Sequence, residues 1–325
     1  MNYHRGLLFW GLALITGGAV ALAAQQGYID RAWLTGAWRL WPLILVAIGL
    51  SILLRHTPAA IVGTIVAALV VGSAGGALIA VGPGTFSCGG AEPTSLTTRQ
   101  GTFGDDANVQ LDFNCGTLKV AMENPRIAVS HVWTVQSGQN GGPPATIDAA
   151  PARLEVRTPS STTNWFDRGR QRWNVTLPTS TTYELDVSPN AADTKIDLSG
   201  GKFTSVSVQP NAGSVFLDLT DAQVDKLDLS LNAGSASIVI GAGMDMAASL
   251  GVNAGSIELC TTGTVALQIT NDSNFTFSTN LDETDLVKSG STWSTADFEG
   301  ASRQVRIQLS GNAGSFALNP EGGCS

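Results

Sequence analysis

The sequence has little of the chemistry on which enzymes depend. Its three histidines, His4, His56 and His131, are dispersed and have no second His or Cys at the spacing of a metal site. It contains no G-x-S-x-G, P-loop or H-E-x-x-H phrase. The sequence therefore predicts a non-enzymatic protein that has no cofactor and no metal site.

Charge is scarce and unevenly distributed. Residues 1–84 hold four Arg and one Asp, whereas the remaining residues include 14 basic and 25 acidic ones. An acidic remainder argues against a nucleic-acid partner. A basic, apolar first part and an acidic, polar second part indicate two domains in different solvents, 1–84 and 85–325.

Three apolar stretches lie in the first domain, at 7–24, 38–54 and 59–81. Their lengths are close to what a helix needs to cross the hydrocarbon core of a bilayer. The loop charges place the N-terminus inside, and three helices then export everything that follows. We expect a multi-pass bacterial membrane protein with a cytoplasmic N-terminus and an extracytoplasmic second domain. A cleaved signal peptide is the alternative interpretation of the first stretch.

All four cysteines fall in the second domain, as Cys88, Cys115, Cys260 and Cys324. An oxidising compartment would allow up to two disulfides among them, with three possible connectivities. The pairs Cys88–Cys115 and Cys260–Cys324 are favoured, and free buried thiols are the alternative.

A phrase beginning with Asn recurs in the second domain every 21 positions. It starts at Asn190, Asn211, Asn232 and Asn253, and returns after a longer interval at Asn312. A fixed period of this size is typical of stacked repeats. Apolar residues alternate on both sides of the phrase, which predicts two short strands per repeat. The fold class is therefore N-terminal transmembrane α-helices plus an all-β domain, a single-stranded-coil β-solenoid of either hand.

The repeated phrase is interpreted as a corner. Asn tolerates the left-handed region, Gly adopts positive φ without steric cost, and stacked Asn side chains can form amide ladders. The structural turn repeat comprises Asn190, Asn211, Gly213, Asn232, Gly234, Asn253, Gly255, Asn312 and Gly314.

The best candidate interaction site departs from the repeat, in TNWFDRGRQRW at 163–173. Aromatic and Arg side chains are the usual anchors of interfaces, and they also suit anionic envelope polymers. A solvated hairpin whose aromatic side chains pack onto the solenoid or meet the lipid surface is the alternative. The candidate patch consists of Trp165, Phe166, Arg168, Arg170, Arg172 and Trp173. Elsewhere, Asp197 and Asp218 share an outward column, which we interpret as a solvated face rather than a cation site.

Two stretches resemble known families. The phrase WPLILVAIGL at 41–50 and its flanks resemble the LiaI/LiaF-like transmembrane module, although the third apolar stretch is a departure. The segment VTLPTSTTYELDVSPNAADTKIDLSG at 175–200, followed by the repeats, resembles the toastrack domain, an adhesin-type β-solenoid. The resemblance implies an envelope-stress sensor or regulator that acts beside a two-component sensor kinase or a transporter.

A cell-surface adhesion or scaffolding module anchored in the lipid bilayer by the helices is the alternative function. The resemblance carries no catalytic residues over, and the oligomeric state is left open.

The predicted topology can be tested with a reporter fused after Ser325. A reporter that folds only outside the cytoplasm should be active there, because three helices bring the C-terminus to the exported side. Activity confined to a cytoplasm-dependent reporter would contradict the topology.

Overall fold

The chain is described from a computed structural model. Described residues are 11, 12, 14–16, 18, 19, 68–70, 72, 91–123, 131–140, 142–159, 169–273 and 277–324. The chain divides into two compact units, Met1–Phe86 and Ser87–Ser325.

The described residues of the first unit are all helical. Thr16 Oγ1 donates to the Leu12 carbonyl oxygen at 2.7 Å, four residues back along the helix. The predicted helix at 38–54 and most of those at 7–24 and 59–81 lie outside the described residues. Within the described part of the chain, no helix combines the length and apolar character of a membrane span.

The described residues of the second unit form 17 strands. They are β1 Thr97–Thr102, β2 Asp106–Met122, β3 Val132–Gln139, β4 Thr146–Ala150, β5 Arg153–Arg157, β6 Gln171–Leu177, β7 Thr182–Asp197, β8 Lys202–Val208, β9 Ala212–Leu219, β10 Gln223–Val224, β11 Lys226–Gly241, β12 Met246–Thr262, β13 Leu267–Asn271, β14 Phe277–Thr279, β15 Val287–Ser289, β16 Thr292–Ser294 and β17 Val305–Leu318. Short 3-10 helices lie at Leu281–Glu283 and Phe298–Gly300.

The long strands stack in parallel as successive coils. Each repeat residue pairs with its equivalent in the next repeat, so that Lys226 of β11 lies beside Ala247 of β12 and Ile238 beside Leu259. The β8–β9 coil pairs in the same way with β7 and with β11. The unit is therefore an all-β stack of the kind that makes a β-solenoid.

The order of coils in the stack differs from the order in the chain at both ends. β2 lies between β7 and the coil made by β5 and β6, although it precedes all of them in sequence. Likewise, β17 lies between β12 and the coil made by β13 and β14. The insertion of β13–β16 accounts for the longer interval between Asn253 and Asn312.

The coils bury the inward side chains that the alternation predicts. One column after the corner consists of Ile196, Leu217, Ile238, Leu259 and Leu318, all of which are buried. A second column, before the corner, consists of Val187, Val208, Leu229, Leu250 and Leu309, also buried. Each such side chain contributes about 1.5–3 kcal/mol on burial before the entropy cost is subtracted. The core is thus a set of apolar columns that run along the stack.

Asparagine side chains form a continuous ladder along the corner. In each step, one Asn Nδ2 donates to the Oδ1 of the Asn in the preceding coil, at 2.7–2.8 Å in four of the five steps. The fifth bond joins Asn211 to Asn190. The ladder residues, in stack order, are Asn114, Asn190, Asn211, Asn232, Asn253 and Asn312. Asn114 extends the predicted series by one coil.

Glycine at the corner permits the close approach on which the ladder depends. Gly234 has φ +116°, and a Cβ there would collide with the carbonyl oxygen of Gly213 in the coil below. The same relation holds between Gly255 and Gly234, and between Gly314 and Gly255. A side chain at any of these positions would be strained and would also push the coils apart.

Among the coils that carry the repeated Asn phrase, the prediction of two separate strands is correct only for the β8–β9 coil. In β7, β11, β12 and β17, one strand continues through the corner. The reason is that the corner residues themselves keep the parallel register, as Ala233 does with Ala254.

Replacing Gly234 with Ala should lower the free energy of unfolding by at least about 2 kcal/mol, because the new Cβ meets backbone and the φ is unfavourable. Chemical denaturation followed by circular dichroism measures the loss. Gly300→Ala is the matched control, since a Cβ at Gly300 would meet nothing within 4 Å. Equal stability of the two variants would contradict the close-approach account.

Candidate functional site

The predicted interaction patch is only partly within the described residues. Trp165, Phe166 and Arg168 lie outside them. Arg170, Arg172 and Trp173 are described, and the structure gives them different roles.

Trp173 is a core residue rather than a surface anchor. Its side chain is 0% exposed, and its ring meets Phe113 edge to face at a centroid distance of 4.9 Å. The physical reason is the alternation of β6, in which Gln171, Trp173 and Val175 point inward. This agrees with the alternative that aromatic side chains of this segment pack onto the solenoid.

Arg170 and Arg172 face a carboxylate from the chain itself. Arg172 forms an ion pair with Glu92, and Arg170 Nη2 lies 3.7 Å from Glu92 Oε1. Thr117 Oγ1 donates to the same carboxylate at 3.1 Å, and Arg170 also lies 3.9 Å from Asp193. We call this group, Glu92 with Thr117, Arg170, Arg172 and Asp193, the leader clasp.

The leader clasp holds the leader, the segment 91–96 through which the chain enters the β-unit. Pro93 beside Glu92 is buried, and Asn140 Nδ2 donates to the Ala91 carbonyl oxygen at 2.9 Å. Glu92 therefore joins the leader to two coils at once, through Thr117 of β2 and Arg172 of β6. The ion pairs are about one-third exposed, so each is a modest stabilising contact.

Sequence reasoning identified the arginines and missed their partner. Glu92 is the only acidic residue between positions 85 and 104. That isolation, close to an arginine cluster in an otherwise acidic domain, is the signal that was available.

The outward carboxylates considered for a cation serve local structure. Asp197 Oδ1 accepts from the amide and the hydroxyl of Ser199, and Asp218 Oδ1 accepts from the amide of Thr220. Both therefore close tight turns. Across the described ranges, no group of three or more His, Cys, Asp or Glu side chains is placed to hold a metal ion.

Another exposed carboxylate, Asp282, is bound by side chains of β15 and β16. Lys288 Nζ and Trp293 Nε1 donate to Asp282 Oδ1 at 2.8 and 2.9 Å. These two hydrogen bonds, that from Lys288 first, lower the pKa of Asp282 below its ordinary value. The Lys288 ammonium also lies 4.7 Å from the centre of the Trp293 ring. This cluster therefore connects β15 with β16 through side-chain contacts.

The cysteines that the structure describes are disulfide-bonded. Cys260 pairs with Cys324, which fastens the C-terminal tail to β12. Cys115 is also in a disulfide, while Cys88 lies outside the described residues.

The stacked β-unit and the apolar first unit correspond to two known families. Residues 95–241 match the N-terminal domain of toast_rack, DUF2154. Residues 8–53 match the LiaI-LiaF-like transmembrane region. The chain thus combines a LiaI-LiaF-like transmembrane region with a toast_rack domain, which confirms the resemblance. The match to the transmembrane region associates the protein with a membrane. No curated protein matches the chain.

Three solved structures are similar to this chain at 10% identity. A candidate cell adhesion protein from Clostridium sporogenes aligns with a TM-score of 0.43 over 69% of this chain and 99% of its own. A candidate adhesin from Bacteroides fragilis gives 0.28 over 70% and 100%, and one from Parabacteroides merdae gives 0.21 over 71% and 99%. All three TM-scores are low.

Replacing Glu92 with Gln should loosen the leader without unfolding the stack. The neutral amide loses the ion pairs to Arg170 and Arg172, worth about 1 kcal/mol at this exposure. We expect amide exchange at 91–96 to rise roughly fivefold. Hydrogen exchange read by mass spectrometry measures this, with exposed Glu299→Gln as the control. Unchanged exchange at 91–96 would contradict the clasp.

Proposed function

We propose that this chain is a membrane-anchored, non-enzymatic module that senses or regulates envelope stress through protein contacts. The observation that carries the proposal is the presence of a LiaI-LiaF-like transmembrane region and a toast_rack domain in one chain. The β-unit serves as the contact platform, and the helices contact a partner in the membrane.

The proposed arrangement is multi-pass, with three helices, a cytoplasmic N-terminus and an extracytoplasmic β-unit. The apolar stretches at 7–24, 38–54 and 59–81 and the positions of the arginines beside them support it. A sensor kinase or a transporter is the proposed class of membrane partner.

The rigidity of the β-unit supports a role as a platform. The asparagine ladder and the paired corners hold six coils in fixed register. The leader clasp then joins the entering segment to this stack through Glu92 and Arg172. A partner that binds the β-unit would therefore act on the stack and the leader as one connected body.

Exchanging residues 1–84 for an unrelated three-helix anchor tests the proposal. A regulator whose helices contact a partner should lose its effect on the transcript response to a cell-wall antibiotic, as a gene deletion does. The exchange should keep the β-unit folded and exported, which surface labelling verifies.

The same exchange separates the adhesion or scaffolding alternative. A module for which the helices are only an anchor would keep its binding to cell-wall polymer or to other cells. A deletion strain whose transcript response equals that of the parent would contradict the regulatory proposal directly.

A further inference from the structure

Two strands at one end of the stack leave a backbone edge unpaired within the described residues. There, β1 pairs with β3 alone and β4 with β5 alone. Between them lies a cleft of about 610 Å³. Edge strands present rows of N–H and C=O groups that can pair with another chain.

The cleft is bordered by the edges of these strands rather than by their faces. Its walls contain the consecutive residues Arg99–Thr102 of β1 and Ile147–Ala150 of β4. Since side chains alternate between the two faces of a strand, a face would contribute only every second residue. Consecutive residues line a wall where the backbone edge itself faces the space.

Hydrogen bonding fixes which β1 groups face the cleft. Phe103 N donates to the His131 carbonyl oxygen at 2.8 Å, so this is a hydrogen-bonded pair of the β1–β3 ladder. In an antiparallel ladder such pairs recur at every second residue. The N–H and C=O groups of Gln100 and Thr102 therefore point away from β3.

The contacts on either side of β4 indicate which of its main-chain groups point into the cleft. The Ala145 amide donates to Ser137 Oγ at 3.2 Å, and the Pro151 carbonyl oxygen accepts from the Gly104 amide at 2.8 Å. Both contacts lie on the side of β4 that faces away from β5. By the same alternation, the N–H and C=O groups of Ile147 also point into the cleft.

The residues that line the cleft suit a polypeptide of mixed character. Trp133, which is 4% exposed, and half-buried Ile147 supply apolar surface. Arg99 and Asp148 are exposed among the lining residues and carry opposite charges. Main-chain groups on two sides, apolar lining residues and balanced charge favour an extended peptide over a single small ion.

We propose that this cleft accepts an extended segment of a partner protein, which pairs through its main chain with Gln100 and Thr102 of β1. This is strand addition to a sheet edge. It rests on the proposed function, because it identifies a surface through which the protein contacts would form.

A second copy of this chain fits the cleft less well than a single strand does. β4 faces β1 across the cleft, and the hydrogen bond between Gly104 and Pro151 joins the two walls at one end. Pairing of two β1 edges would bring two β4 strands into the same space. One inserted strand meets no such obstacle.

The test uses the full-length protein in detergent micelles and heptapeptides selected on it from a random phage-displayed library. Nuclear magnetic resonance reads amide exchange with and without a synthesised peptide. In the free protein, Gln100 and Thr102 should exchange fast, whereas Gly101, which faces β3, should exchange slowly. The peptide should slow Gln100 and Thr102 at least tenfold.

Two variants at one position separate main-chain pairing from side-chain recognition. Gln100→Pro removes an N–H that the β3 pairing does not use, and it should lower the affinity for the peptide about tenfold. Gln100→Ala keeps that N–H and should change affinity by less than about twofold. Circular dichroism checks that both variants remain folded.

Several results would overturn the proposal. These are equal losses in the two variants, peptides that protect a different region, or failure to select any peptide. Slow exchange at Gln100 in the free protein would mean that another part of the chain occupies the edge, or a second copy if the protection depends on protein concentration. Because the assay measures binding alone, its failure leaves the anchor exchange as a separate test of the proposed function.

Discussion

The stack depends on how closely one corner lies over the next. Because Gly234 has no Cβ, its backbone sits directly on the carbonyl oxygen of Gly213, and the neighbouring corners repeat that contact. The short distance brings the asparagine amides of successive coils within hydrogen-bond reach. It also keeps the strands paired through the corner, so that the apolar columns on both sides stay in register. Ladder, pairing and core are thus consequences of one close approach.

The two ends of the stack are built differently from its middle, where each parallel coil pairs with a coil on both sides. The chain supplies antiparallel strands at each end, β3 and β4 at one and β16 and β15 at the other. As a result, β2 lies between the terminal β5–β6 coil and β7, and β17 lies between the terminal β13–β14 coil and β12. The leader clasp and the Cys260–Cys324 disulfide fasten the two segments that flank this arrangement. Departures from the repeat therefore gather at the ends, where the clasp and the edge-lined cleft are found.

The repeat could be predicted from the sequence because its causes are local. Side-chain alternation places Ile238 and Leu259 inward, and the Asn and Gly residues mark each corner. The order of the end coils could not be predicted, since the pairing of Asn114 with Asn190 joins residues far apart in sequence. In the candidate site, alternation within QRWNVTL would have placed Trp173 in the core, whereas composition suggested a surface patch. The partner of Arg172 comes from a leader without repeat or periodicity, so only its isolated charge marked Glu92.

The order of the corners is the central claim, and contacts between asparagine side-chain amides test it most directly. Nuclear Overhauser measurements on the isotope-labelled protein should connect Asn114 with Asn190 and Asn253 with Asn312, as the ladder requires. These pairs are separated by 76 and 59 residues, so a simple sequential coil would not bring them together. Contacts limited to consecutive copies of the regular repeat, with none to Asn114 or Asn312, would contradict the stack described above.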